Sequence, residues 1–169
     1  MSIFEPIFER LLEEGGRFVV VGGLAVVLQG HARLTVDLDL IVDLDPGAAR
    51  KTIAALLGLG MRPLAPVDAL SFADSEIRQV WIDEKGMRVF SLYDPENALR
   101  SVDLFVSSPI PFEALWERAE PVRLSTATVP VASIADLIHL KEVADRPQDR
   151  DDIEKLREIL RIRSEAKNS

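Results

Sequence analysis

The sequence contains no cysteine. Disulfides and cysteine-bound zinc are therefore excluded, and the chain suits a reducing compartment. Basic residues are not in excess either: 20 Lys and Arg stand against 28 Asp and Glu, for a formal net charge of −8. A broad electrostatic footprint for duplex DNA needs the opposite balance. A local basic patch for RNA or a nucleotide stays compatible, because net charge says nothing about where charges sit. Long apolar runs are missing. The longest, around residues 18–28, is too short to span a bilayer and is interrupted by Gly22 and Gly23. The first residues carry Glu5 and Glu9 where a secretory signal would be basic. No membrane association and a cytoplasmic location are the expectation. There is no internal repeat and no low-complexity tract. Aromatic residues make up only 6%. Trp81 and Trp116 read as packing residues rather than stacking platforms, and His31 and His139 as structural or surface residues.

What is present describes a folded domain. The 169 residues are 47% hydrophobic and 28% charged, a globular composition with enough apolar surface for one compact core. Residues 18–43 organise the rest. An apolar strand over 18–21 runs into the Gly22-Gly23 turn, then a short helix from about Leu24 to Gly30, then a second strand over 36–43. Side chains alternate across a strand. Val36, Leu38, Leu40 and Val42 therefore share an apolar face, and Asp37 and Asp39 share the other.

Around this unit the pattern predicts a helix over residues 3–14, ended by Gly15-Gly16. A second helix starts at Asp45-Pro46, with Asp as cap and Pro in the first turn, and runs to about Leu59. The prolines at 63 and 66 predict a loop, with a short strand beside it. Residues 76–83 and 87–93 read as two strands of a hairpin turned by Glu84-Lys85-Gly86. Residues 101–106 form a strong strand signal, with Asp103 on the face opposite Val102, Leu104 and Val106. A short helix follows over 112–119, then a small hairpin of 122–124 with 128–131. Ser133 caps a helix, Asp136 completing a capping box, and Asp149 caps the last one. The order of elements gives an α+β, or mixed α/β, single domain. Residues 1–131 make its core, and 132–169 a C-terminal helical segment packed on it.

Carboxylates two apart on a strand are about 7 Å apart at Cα and can converge on one hard cation. Mg²⁺ takes oxygen ligands and completes its shell with waters and substrate phosphates. Should the strand of Asp103 pair beside that of Asp37 and Asp39, three carboxylates meet. Such a cluster raises its own pKa values unless a divalent cation, or a pair about 3.5–4 Å apart, neutralises it. Glycines at 22 and 23 let the backbone approach a phosphate closely. Arg33 offers phosphate a bidentate fork. Lys141 continues the stripe of Ile134, Leu137 and Ile138. Either it lays its stem along the core edge with its head in water, or its ammonium reaches the acidic cleft.

The string Gly22-Gly23-x-Ala25, Gly30, Arg33-x-Thr35-x-Asp37-x-Asp39-Leu40 resembles the active-site motif of DNA polymerase β-type nucleotidyltransferases. Within them it is most similar to the bacterial minimal and abortive-infection (AbiEii-like) toxin branch. The run from Ala132 through Lys141, with Arg146, Asp149 and Ile153 after it, is similar to that branch's C-terminal helices. The resemblance covers about residues 17–160. It implies a nucleotidyltransferase fold, a small mixed sheet flanked by helices. It implies an enzyme that moves a nucleoside monophosphate from an NTP to an acceptor hydroxyl. Asp37, Asp39 and Asp103 would be the catalytic and metal-binding residues for two Mg²⁺ ions. Gly22, Gly23, Arg33 and Lys141 would bind the nucleotide. Transfer RNA, a protein side chain or a small molecule such as an aminoglycoside could be the acceptor, and a cognate antitoxin a partner. One position departs: the superfamily usually has Gly-Ser at the turn, with the serine hydroxyl on the triphosphate, and here Gly23 removes it. The second hypothesis is accordingly a non-catalytic module of the same fold that binds a nucleotide or partner.

Overall fold

The computed structural model describes residues 3–169. Seven strands form one mixed sheet in the order β3-β4-β5-β2-β1-β7-β6. They are β1 (Phe18–Val21), β2 (Leu38–Val42), β3 (Arg62–Pro63), β4 (Val89–Asp94), β5 (Asn97–Phe105), β6 (Glu120–Arg123) and β7 (Thr128–Val131). The helices are α1 (Glu5–Glu13), α2 (Gly22–Leu28), α3 (Pro46–Gly58), α4 (Ser75–Lys85), α5 (Phe112–Arg118), α6 (Ile134–Ala144) and α7 (Pro147–Lys167), with a 3₁₀ turn at Ala69–Ala73. The class is the mixed α/β architecture expected from the order of elements.

β1 is Phe-Val-Val-Val and is buried on both faces, which suits a central strand. It runs antiparallel to β2, with Phe18 opposite Val42 and Val21 opposite Asp39. β2 then pairs with β5 in parallel, with Leu38 opposite Val102, Asp39 opposite Asp103 and Leu40 opposite Leu104. β4 joins antiparallel, setting Phe90 opposite Leu104 and Ser91 opposite Asp103. Cross-strand partners share a face. One face of the sheet is thus a band of Phe18, Val42, Leu40, Leu104 and Phe90. On this face Phe8 of α1 stacks on Phe18 at 6.0 Å, and Trp81 of α4 stacks on Phe90 at 5.3 Å. The other face carries a row made by Ser91, Asp103, Asp39 and Val21, and the chain turns into α2 immediately after that row.

The N-terminal helix, α3 with its Asp45 cap, and the hairpin of β6 with β7 form as their sequences predict. The first strand of the expected hairpin does not. Residues 76–83 are helical. Asp74 accepts from the N–H groups of Glu76 and Ile77, and Gly86 closes the helix at φ 60°. A two-bond N-cap and a left-handed glycine specify a helix from both ends. The β-branched and aromatic residues between them pack a helix flank instead: Trp81 lies under the sheet, and buried Arg78 donates to the carbonyls of Phe72 and Leu44. Only the second expected strand forms, as β4 (Val89–Asp94), and it pairs with β5 across the Asp94–Asn97 turn.

Two caps also differ. Ser133 caps α6, but the Asp136 carboxylate takes the Arg118 guanidinium and the Ser133 hydroxyl. In α7, Arg146 is the cap residue and Asp149 stands at the third helical position, accepting the Arg146 N–H at 3.0 Å. Pro147 has no N–H to cap, so the register shifts the carboxylate into the helix.

Candidate active site

The parallel pairing of β2 with β5 does what the sequence could pose only as a condition. It sets Asp39 directly opposite Asp103. Asp37 lies just before β2, where Ser101 donates to it at 3.2 Å. Ser91, across β5 from Asp39, donates to Asp103 at 2.5 Å. Two carboxylates from adjacent strands and a third from the residue just before β2 therefore come together at the start of β2, Asp37 and Asp103 steadied by serine hydroxyls.

Their electrostatics are strained. Burial pushes the Asp39 carboxyl up to about 6 from its ordinary 3.8, Asp103 and Asp37 add to the rise, and Arg146 and Lys141 oppose it. Asp103 is also raised, first by burial and then by Asp37, against the hydrogen bond from Ser91. Neighbouring carboxylates this poorly solvated are a donor set with charge to spare. Hard oxygen donors of this kind fit a divalent ion such as Mg²⁺.

Gly22 is required by this arrangement. Its φ is +67°, and a Cβ there would fall 2.1 Å from Asp39 Oδ2. The turn and the carboxylate share the space of a single methyl group. At Gly23 a Cβ would lie 2.8 Å from Thr35 Oγ1 and 3.5 Å from a terminal nitrogen of Arg33. Residues 30–37 therefore fold back over the turn.

Arg33 and Lys141 come together through a partner invisible to local pattern. Asp152 of α7 is buried and accepts from both, Arg33 on one side and Lys141 at 2.7 Å on the other. Lys141 also holds Asp149 at 3.1 Å, and Asp149 takes the Arg146 guanidinium at 2.9 Å. Lys141 is only 5% exposed, so its head does not reach water. It faces the cleft closely enough to lower the Asp39 pKa, while its ammonium is held by the two aspartates. Burial works against ionisation of Asp149, but Arg146 and Lys141 bring its pKa below the ordinary carboxylate value.

The sequence reading missed Arg146, Asp149 and Asp152 as a network, and Ser91, Ser101 and Thr35 as neighbours of the carboxylates. The signal for the first three was the Asp149–Asp152 spacing on one helix face, one turn beyond a cationic Arg146. Ser91 and Ser101 had no local signal, because strand register alone brings them in. His31 lies 3.9 Å from Asp151 and forms with Asp151 and Asp152 a cluster of metal-ligating type. Asp152 is already neutralised there by Arg33 and Lys141. Trp81 and Trp116 are packing residues, the latter against Phe112 with Arg17 over the rings. No helix among the described residues is long and apolar enough to cross a membrane.

Comparison with known proteins follows the same line. The sequence profile of the family described as nucleotidyl transferase AbiEii toxin, type IV toxin–antitoxin system, matches residues 8–156. No match emerges among curated proteins. Among solved structures, the solution structure of the antibiotic-resistance factor ANT(2'')-Ia superposes with a TM-score of 0.54 at 19% identity, covering 98% of this chain and 92% of that one. The crystal structure of ANT(2'')-Ia with adenylyl-2''-tobramycin gives 0.54 at 18%, over 99% and 97%. A Thermotoga maritima protein provisionally classed as a nucleotidyltransferase gives 0.54 at 17%, over 94% and 91%. At such identities the likeness is one of fold, and the fold is that of the nucleotidyltransferases. With the family profile spanning nearly the whole chain and three carboxylates gathered at the glycine turn, this protein belongs to the AbiEii nucleotidyltransferase toxin family.

Proposed function

We propose that this protein is a Mg²⁺-dependent nucleotidyltransferase that moves a nucleoside monophosphate from an NTP to an acceptor hydroxyl. The observation that carries the reading is the register that sets Asp39 opposite Asp103, with Asp37 beside them and Gly22 in contact. Asp37 and Asp39 would hold the metal, with Asp103 completing a second site. When bound, the ions would neutralise charge on the phosphates and orient the reacting oxygens.

The chain's own groups supply the rest. The Gly22-Gly23 backbone brings the triphosphate within reach, and Arg33 offers it a cation. Lys141 of α6 and Arg146, the cap residue of α7, offset the negative charge of the carboxylate cluster. Asp103, whose carboxyl is raised by burial and by Asp37, would take the proton of the acceptor hydroxyl. The acceptor oxygen then forms a bond to the α-phosphorus as the bond from that phosphorus to the β-phosphate bridge breaks. Its proton passes to Asp103, and pyrophosphate leaves. Positioning and charge neutralisation account for most of the rate.

An RNA or protein acceptor and a cognate antitoxin accord with the family's toxin–antitoxin description.

Incubation with labelled NTPs, Mg²⁺ and cell extract tests the reading, followed by mass spectrometry of the labelled product. Wild-type protein should label an acceptor, and Asp39→Ala should not, while keeping its fold. Turnover retained in that variant defeats the metal assignment. NTP binding without transfer by the wild type would favour the non-catalytic module.

A further inference from the structure

Gly23 leaves the turn without a side-chain hydroxyl, yet a hydroxyl stands beside it. The point where a Cβ at Gly23 would sit is 2.8 Å from Thr35 Oγ1 and 3.3 Å from Thr35 Cβ. Thr35 thus fills the volume into which a residue at 23 would grow. Its hydroxyl makes one long hydrogen bond, 3.4 Å to the Asp37 carbonyl, and the residue is half-buried at the cleft rim. A donor so weakly engaged is free to turn to a better acceptor. Arg33 arrives at the same point by a divided grip. One terminal nitrogen is tied to Asp152, and the other lies 3.5 Å from the Gly23 position. A hydroxyl and a guanidinium nitrogen therefore converge on one spot, two residues ahead of Asp37.

Two such donors suit a tetrahedral oxyanion. We infer that the Thr35 hydroxyl, beside Arg33, donates to a non-bridging phosphate oxygen of the nucleotide held at the Gly22-Gly23 turn. The inference rests on the nucleotide-transfer reading above. Gly23 then has a positive role: it clears the space through which Thr35, from the segment before β2, reaches the phosphates. The hydroxyl is delivered from across the turn, and a side chain at 23 would push the Thr35 hydroxyl aside.

The test is the affinity for Mg²⁺ with a non-hydrolysable NTP analogue, and for Mg²⁺ with inorganic triphosphate, by titration calorimetry. Thermal melts serve as the control for folding. Thr35→Val should weaken both ligands about tenfold to a hundredfold, the range for losing a hydrogen bond to a charged group. Thr35→Ser keeps the hydroxyl and should stay within about threefold of wild type. Gly23→Ser should weaken binding through its clash with Thr35, and Gly23→Ser with Thr35→Ala should bind more tightly than either single variant. A folded Thr35→Val protein that binds as wild type does overturns the inference alone. So does a loss confined to the NTP analogue and absent with inorganic triphosphate, or a double variant weaker than both singles. A wild type with no affinity for either Mg²⁺-loaded probe overturns the nucleotide reading itself.

Discussion

Replacing Asp39 by asparagine removes a charge while keeping the shape of the side chain. In the metal-free protein, burial with help from Asp103 and Asp37 holds the Asp39 carboxyl at about 6, against 3.8 ordinarily. The folded chain therefore binds this proton more tightly than the unfolded chain does. The group's contribution to stability is present in full below about pH 4 and is lost as pH rises through about 6. Above that range the ionised carboxylate costs the fold about 3 kcal/mol, at about 1.4 kcal/mol per pH unit. Asp39→Asn should consequently stabilise the metal-free protein at pH 8. The gain has an upper bound of about 3 kcal/mol, or about 6–12 °C in melting temperature for a chain of this length. The gain should shrink to near zero at pH 4. Mg²⁺ should raise the melting temperature of the wild type and leave the variant unmoved. Thermal denaturation at pH 8 and pH 4, with and without Mg²⁺, reads all of these. A variant less stable than wild type at pH 8 without metal, or one that keeps the wild-type pH dependence, would refute the desolvated-carboxylate reasoning.

Three other perturbations follow from the same geometry. Gly22→Ala should cost more than the roughly 1–2 kcal/mol of left-handed strain and should abolish Mg²⁺ affinity by displacing Asp39. Gly60→Ala, at φ +85° with nothing within 4 Å of its Cβ, should cost the strain alone; equal losses in denaturant titrations would contradict the clash. Lys141→Met should destabilise by about 3 kcal/mol in equilibrium unfolding, because Asp149 and Asp152 lose a buried cation; a neutral outcome would mean the aspartates are served by Arg146 and Arg33 alone. Trp81→Ala should cost about 3–5 kcal/mol by emptying the space against Phe90, with Mg²⁺-dependent turnover per folded molecule unchanged.

The chain's own pattern carried the centre of the molecule. An apolar run, a glycine pair and an alternating strand fix β1, α2 and β2 locally, but β2 begins only at Leu38, so alternation sets the face of Asp39 while Val36 is exposed and Asp37 is placed by the segment before the strand. The same pattern put Asp103 opposite its apolar neighbours. Residues 76–83 misled because alternation and β-branched residues resemble a strand, while the decisive signals, Asp74 and Gly86, lie at the ends of the segment. Caps act through one or two hydrogen bonds and outweigh the weak propensities between them.

What the sequence by itself determined is therefore which side chains share a face, because that depends only on backbone period. Which strands become neighbours depends on burial summed over the whole sheet. The folded chain alone could decide that Asp39 faces Asp103, that Ser91 and Ser101 steady the carboxylates, and that Asp152, more than a hundred residues beyond Arg33, ties that arginine to Lys141. Desolvation followed from those contacts, and with it the raised pKa of Asp39, since a carboxylate's charge is destabilised only once other groups have displaced its water.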